Sequence, residues 1–184
     1  MRLLIIDTES SGLDVAMRAQ QDGHEVIWWD APHKDGSPRR AGEGIITKIR
    51  DFDRLRSRYL HWADLIWLTD NTKYMEMLEP YRAQGLPIYG GNVESAQWEL
   101  DRAVGQKVMK EAGLNIIPGR EFTDHDAAIA YVKKRGLPCV SKPSGNADKA
   151  MSHVAASAAS MCYMLARWKK NEKYRSDAKK YGFI

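Results

Sequence analysis

The stretch LLIIDTESSGLDVAMRAQQDGHEVIWW, residues 3–29, decides the architecture. Four consecutive apolar residues run into Asp7, and a short polar segment closes on Gly12. Residues 14–21 then space apolar and polar side chains as a helix does, with Val15 and Met17 among the apolar positions. Gly23 stops that helix, and EVIWW (residues 25–29) is a second apolar run of strand length. A strand, a helix and a strand in so short a span predict a right-handed parallel unit with a crossover of about 18 residues.

The alternation continues outward. APHKDGSPRRAGEG (residues 31–44) is a polar loop, residues 51–61 are predicted helical, and DLIWL (residues 64–68) is a third strand. A helix over residues 72–84 ends at Gly85, and LPIYG carries a fourth strand at residues 86–89. Strands that alternate with helices imply a parallel sheet covered on both faces. The pattern changes after Gly90-Gly91-Asn92. Residues 94–112 read as one long helix closed by Gly113, and Thr123-Asp124 caps a helix over residues 125–135. PCVSK (residues 138–142) is a short strand, residues 151–155 hold the returning strand, and residues 158–169 form a final helix. The expected fold class is therefore α/β: a Rossmann-like domain with a parallel sheet over residues 1–92, then an α+β module over residues 93–184.

Composition narrows the function. Hydrophobic residues at 43% and charged residues at 28% exclude a disordered chain. No apolar run approaches the roughly 18 residues of a membrane span, and MRLLIIDTES lacks the cleavage pattern of a signal peptide. Cys139 and Cys162 belong to no paired motif, so neither a disulfide framework nor a zinc site is expected, and a reducing cytoplasm is the expected location. The histidines (24, 33, 61, 125, 153) show no metal-ligand spacing. The net charge of +4 is local: between Arg167 and Lys180 seven basic residues face two acidic ones, leaving the rest of the chain slightly acidic. A solvated helix and loop accounts for that stretch, and nucleic acid is not an expected partner.

Asp7-Thr8-Glu9 resembles the first metal-binding motif of the DnaQ-like 3′–5′ exonucleases, in which the two carboxylates hold divalent metals that activate a water. That family continues with an antiparallel hairpin, whereas here a helix and a parallel strand follow. Asp70-Asn71 and His125-Asp126 also lack the pattern of the later acidic motifs, so the nuclease reading ranks third. Ser10-Ser11-Gly12 contains one glycine and is no dinucleotide fingerprint. Backbone N–H groups at the start of the following helix can still hold a phosphate. Ser10, Ser11 and Gly12, with Asn92 after the fourth strand, are thus candidates for substrate binding. A plain strand–helix connection, capped by Asp7 and Glu9, is the structural alternative.

The most informative run is LPCVSKPSGNADKAMSHV, residues 137–154. A strand ends at Lys142, a loop of small residues follows, and Lys149 precedes the returning strand. Loop N–H groups and two ammonium groups suit a polyphosphate, and an ordinary hairpin with surface lysines is the alternative. The succession Glu99-x-Asp101-Arg102, Met109, Gly113-Leu114, Pro118, Glu121-Phe122, residues 127–132, Gly136-x-Pro138 and Val140-x-Lys142 resembles the ATP-grasp ligases, and among them phosphoribosylamine–glycine ligase (glycinamide ribonucleotide synthetase). The resemblance implies a pre-ATP-grasp domain followed by the first α+β subdomain of an incomplete ATP-grasp fold. It implies ATP and Mg2+ as cofactors, and amine and carboxylate substrates. Lys142 takes the place of the family's strand lysine and Lys149 that of its loop lysine, with Ser144 and Gly145 in the loop. Arg102 stands where the family has its first helix lysine, seven residues before Met109, and Gln106 replaces the second lysine. The loop has one glycine and is one residue shorter than the family's. The resemblance also implies a missing C-terminal half that supplies the adenine hinge and the Mg2+ ligands, with residues 180–184 opening the strand towards it. A non-catalytic nucleotide- or partner-binding module is the alternative.

Overall fold

The computed structural model describes residues 1–145 and 147–183. Asn146, inside the predicted phosphate loop, and Ile184, the end of the predicted hinge strand, lie outside the described residues. The chain divides into two compact units, Met1–Ala96 and Gln97–Ile184; the sequence placed the change of pattern at residue 92.

The first unit runs β1 (Arg2–Asp7), α1 (Leu13–Gln21), β2 (Glu25–Asp30), β3 (Thr47–Ile49) and α2 (Phe52–Arg54). A π-helical turn (Leu55–Tyr59) leads into α3 (Leu60–Trp62), followed by β4 (Leu65–Leu68), α4 (Met75–Ala83), β5 (Ile88–Tyr89) and the start of α5 (Val93–Leu100). All five strands are parallel, in the order β3-β2-β1-β4-β5. In the central strand Ile5 stands opposite Trp28 on one side and Trp67 on the other. Leu4 and Ile6 pack on one face with Trp29, Leu55, Leu60 and Leu78, while Leu3 and Ile5 pack on the other with Ala16, Trp28 and Ile46. Successive side chains of a strand point to opposite faces, so an unbroken apolar run is what a sheet covered on both sides requires. Each such fully buried side chain contributes about 1.5–3 kcal/mol.

Three details differ from the sequence expectation. β3 emerges from the end of the polar loop, where three residues are too few for a periodic signal. The helix predicted over residues 51–61 is interrupted by the π-helical turn. The helix predicted from residue 72 begins at Met75, because Asp70 accepts the N–H groups of Thr72 and Lys73, both at 2.7 Å, and holds that segment as a turn.

The second unit continues with α6 (Arg102–Glu111), α7 (His125–Arg135), β6 (Cys139–Ser141), a 3-10 turn (Lys149–Met151), β7 (His153–Ala155), α8 (Ala158–Lys169) and α9 (Glu172–Tyr181). β6 and β7 are antiparallel, with Val140 opposite Val154. Met151, Met161, Leu165, Trp168 and Phe183 form the core with Ala128 and Val132 of α7. The single helix predicted over residues 94–112 is two. The Asp101 carboxylate accepts the N–H groups of Ala103 (2.9 Å) and Val104 (3.1 Å), caps α6 and restarts the helix. Buried Gly105 then lies against the Trp98 carbonyl, in a space with no room for a Cβ. The basic stretch is largely α9, helical through Tyr181, so the predicted strand there is reduced to Phe183, which bridges antiparallel to Phe122 and Pro143. Trp28, Trp29 and Trp168 are buried packing residues, whereas Trp98 is 43% exposed. Among the described residues no helix is long and apolar enough to cross a membrane.

Candidate functional site

In the first unit the candidates gather at the carboxyl edge of the sheet. Ser10, Ser11 and Gly12 follow β1, beside the point where the strand order reverses between β1 and β4, which is where open parallel sheets bind ligands. Asn92 follows β5 at the same edge and caps α5, its side chain accepting the Ser95 N–H at 2.7 Å.

The β1–α1 turn is organised by Asp7, which is fully buried. Its Oδ2 accepts the Gly12 N–H at 2.6 Å; its Oδ1 accepts the Glu9 N–H (3.0 Å) and the hydroxyls of Thr69 (3.0 Å) and Ser11 (3.3 Å). Asp7 is thus the cap foreseen as the structural alternative, and the donors of Glu9 and Gly12 are already engaged. Burial pushes the Asp7 carboxyl up, but the N–H groups of Glu9 and Gly12 and the Thr69 hydroxyl outweigh it and hold the group below the usual carboxylate range. A carboxyl lowered on folding adds stability that is complete above the unfolded value of about 3.9. That stability is lost as pH falls through the lower folded value. From roughly pH 5 to roughly pH 2 the urea midpoint should therefore fall more steeply in the native protein than in Asp7→Asn; equal slopes would refute this.

Ser10 takes a left-handed backbone conformation, φ 59°, unusual for a residue with a side chain. Its hydroxyl donates to Asp30 Oδ2 at 2.7 Å, tying the turn to the end of β2. The same oxygen receives Lys48 Nζ at 3.1 Å. Lys48 also donates to the carbonyls of Arg39 (3.0 Å) and Ala41 (2.8 Å) and lies over the Trp28 ring. On the other flank Thr8 donates to Asp70 Oδ2 at 2.7 Å. Asp30, Lys48 and Thr69 were not among the residues singled out from the sequence, and Asp70 was considered there only against the nuclease motifs.

With Asp7 consumed by the turn, Asp-x-Glu is not a metal-ligand pair. Among the described residues no group of three or more His, Cys, Asp or Glu side chains could hold a metal ion. The described residues thus offer no donor set that fits magnesium.

In the second unit Lys142, Ser144, Gly145 and Lys149 share the β6–β7 connection. Lys142 and Lys149 are exposed, and neither is within ion-pair distance of a described carboxylate. Ser144 is only 4% exposed, and its hydroxyl has no partner among the described residues. The loop leans on α9: the Ser144 N–H donates to the Gly182 carbonyl (3.1 Å), the Asp148 N–H to Asp177 (3.0 Å), and Lys173 to the Asp148 carboxylate (2.6 Å). A Cβ on Gly145 would lie 3.0 Å from the Tyr181 ring and 3.4 Å from the Leu100 carbonyl, so the start of α6, with partly buried Arg102, runs beside the loop. Two ammonium groups and a buried hydroxyl without partners among the described residues fit an anionic ligand. Fewer loop N–H groups remain for it than the sequence suggested.

No family model matches the chain. The phosphoribosylamine–glycine ligase of Xanthomonas campestris pv. campestris is 26% identical over 150 residues, covering 79% of this chain and 34% of the relative. The crystal structure of phosphoribosylamine–glycine ligase from Thermotoga maritima superposes with a TM-score of 0.68 at 15% identity, over 100% of this chain and 43% of that one. N5-carboxyaminoimidazole synthetase from Staphylococcus aureus, complexed with ADP, gives 0.66 at 16% identity, over 99% and 45%. The chain spans about a third of the length of the curated relative and under half of these solved chains. In sequence and in the succession of its elements, the chain resembles the N-terminal part of the ATP-grasp ligases, phosphoribosylamine–glycine ligase among them.

Proposed function

We propose that this chain is the N-terminal portion of an ATP-dependent carboxylate–amine ligase similar to phosphoribosylamine–glycine ligase. In the complete enzyme a carboxylate oxygen attacks the γ-phosphorus of ATP, releasing ADP, and an amine then displaces phosphate from the acyl phosphate to form an amide. Lys142 and Lys149 neutralise phosphate charge, Arg102 adds a guanidinium, and Ser144 and Gly145 line the nucleotide's phosphates. Ser10, Ser11, Gly12 and Asn92 face the amine-bearing substrate at the sheet edge. The Mg2+ ligands and the adenine hinge belong to the remainder of the ligase, so this chain alone is inactive, and its place is the cytoplasm.

The observation that carries the reading is the β6–β7 connection, with two exposed lysines free of described carboxylates around a buried, unpartnered serine hydroxyl. Calorimetry with ATP tests it: Lys142→Ala should weaken binding by at least about tenfold, and equal affinities would refute the assignment. ADP release dependent on an amine and a carboxylate, from this chain alone, would refute the inactivity. Two of the loop's N–H groups, those of Ser144 and Asp148, are already bonded to Gly182 and to Asp177 of α9, and this favours a second reading, a non-catalytic nucleotide- or partner-binding module. Absence of ATP binding in the native chain would support its partner-binding form.

A further inference from the structure

We infer that Asp7 determines what the first unit accepts: its carboxylate fills the anion pocket of the β1–α1 turn from within, so the ligand at this sheet edge presents no phosphate there. This narrows the class of the amine-bearing substrate proposed above and rests on that reading for the amine alone.

A turn from a parallel strand into a helix aims backbone N–H groups at one point, at the positive end of the helix, and readily holds an anion. Here that point is occupied. The N–H groups of Glu9 and Gly12 and the hydroxyls of Ser11 and Thr69 converge on the two Asp7 oxygens, within 2.6–3.3 Å. The carboxylate is fully buried, and a Cβ on Gly12 would lie 3.0 Å from Oδ2, so the pocket has no room for a second anion. The flanking strand ends repeat the charge: Asp30 follows the apolar run of β2 and Asp70 lies just beyond β4. The cations at this edge face those carboxylates: Lys48 is spent on Asp30 and two carbonyls, Arg39 lies 3.9 Å from Asp30 and donates to the Ala31 carbonyl, and Lys73 lies 3.6 Å from Asp70. A phosphate would meet like charge, and the Glu9 and Gly12 N–H groups aimed at this pocket are already bonded to Asp7. A hydroxyl or an ammonium group meets neither obstacle.

The test is an amide-resolved NMR titration of this chain with inorganic phosphate, against sodium chloride at matched ionic strength. In the native protein the Glu9 and Gly12 amides should show no saturable, phosphate-specific shift. Asp7→Gly, which empties the pocket, should show saturable shifts at both amides, with an apparent Kd at least about tenfold below any native value. Asp7→Ser, which keeps one acceptor for the turn, should show the same response more weakly. Saturable shifts in the native protein would overturn the inference, as would a folded variant that stays silent. Should neither variant fold, the native titration decides alone, silence supporting the inference and saturation overturning it. Calorimetry with ATP on the same samples keeps the two ideas apart, since a failure there sinks the ligase reading and leaves the Glu9 and Gly12 readout intact.

Discussion

Gly105→Ala is expected to lower the stability of the second unit by about 2–3 kcal/mol. In an ordinary helix interior the same exchange gains roughly 1 kcal/mol, because alanine is the better helix former. The sign reverses here because the three atoms nearest the new Cβ are all Trp98 backbone: carbonyl oxygen, carbonyl carbon and Cα. The oxygen would sit well inside van der Waals contact. No side chain can rotate away to relieve it. The end of α5 is also fixed by the Asp101 N–H bond to the Gln97 carbonyl at 2.8 Å, so relief means moving α6. For a unit of this size the midpoint of thermal unfolding should drop by roughly 10–20 °C, followed by circular dichroism. An unchanged or raised midpoint would show that the α5–α6 joint is looser than described. Because Arg102 opens α6, the proposed ligase function adds the expectation that this variant binds ATP more weakly than the native chain.

The second large effect is expected at Asp30→Ala, at about 3–5 kcal/mol in urea unfolding. The Asp30 side chain is fully buried and that of Lys48 is 8% exposed. Removing the carboxylate leaves an ammonium group in the interior with two carbonyls and the Trp28 ring, but no counter-charge. It also frees Ser10, whose left-handed backbone is held by its bond to Asp30. Asp30→Asn keeps the shape and should recover part of the loss. Lys48→Met in the Asp30→Ala background should recover more, because it removes the stranded charge. If the double variant is no more stable than Asp30→Ala alone, the loss comes from the Ser10 turn and not from the ion pair.

The first unit was readable because its signals are local and repeated. Four apolar runs of strand length, each followed by a helical period, leave little choice but a parallel sheet, and four of its five strands were found this way. β3 was missed because three residues carry no period. The break between α5 and α6 was missed because residues 94–112 keep helical spacing throughout, and the signal against one helix is the single Asp101 followed by Gly105. The site was less readable than the fold. Lys142 and Lys149 could be named from their places around a loop of small residues. What that loop does with its N–H groups depends on α9, some thirty residues later, and no local pattern states it. Asp30 and Asp70 did leave a trace: like Asp7, each follows an apolar run (LIID, IWWD, WLTD). Acidic residues at successive strand ends mark the carboxyl edge of a sheet, and their buried partners, Lys48 above all, appear only in three dimensions.

The pairing of Phe183 with Phe122 bears on the order in which the chain can acquire its structure. The first unit is contiguous, and every strand of its sheet has been synthesised by Tyr89, so it can fold while translation continues. The second unit closes differently. Phe122 exchanges both its N–H and its carbonyl bond with Phe183, at 2.8 and 2.9 Å, and Ser144 donates to Gly182. Neither Phe122 nor the lysine-bearing loop can reach its final geometry until the ribosome has passed codon 183. A nascent chain halted before that point carries a finished sheet and an unfinished β6–β7 hairpin.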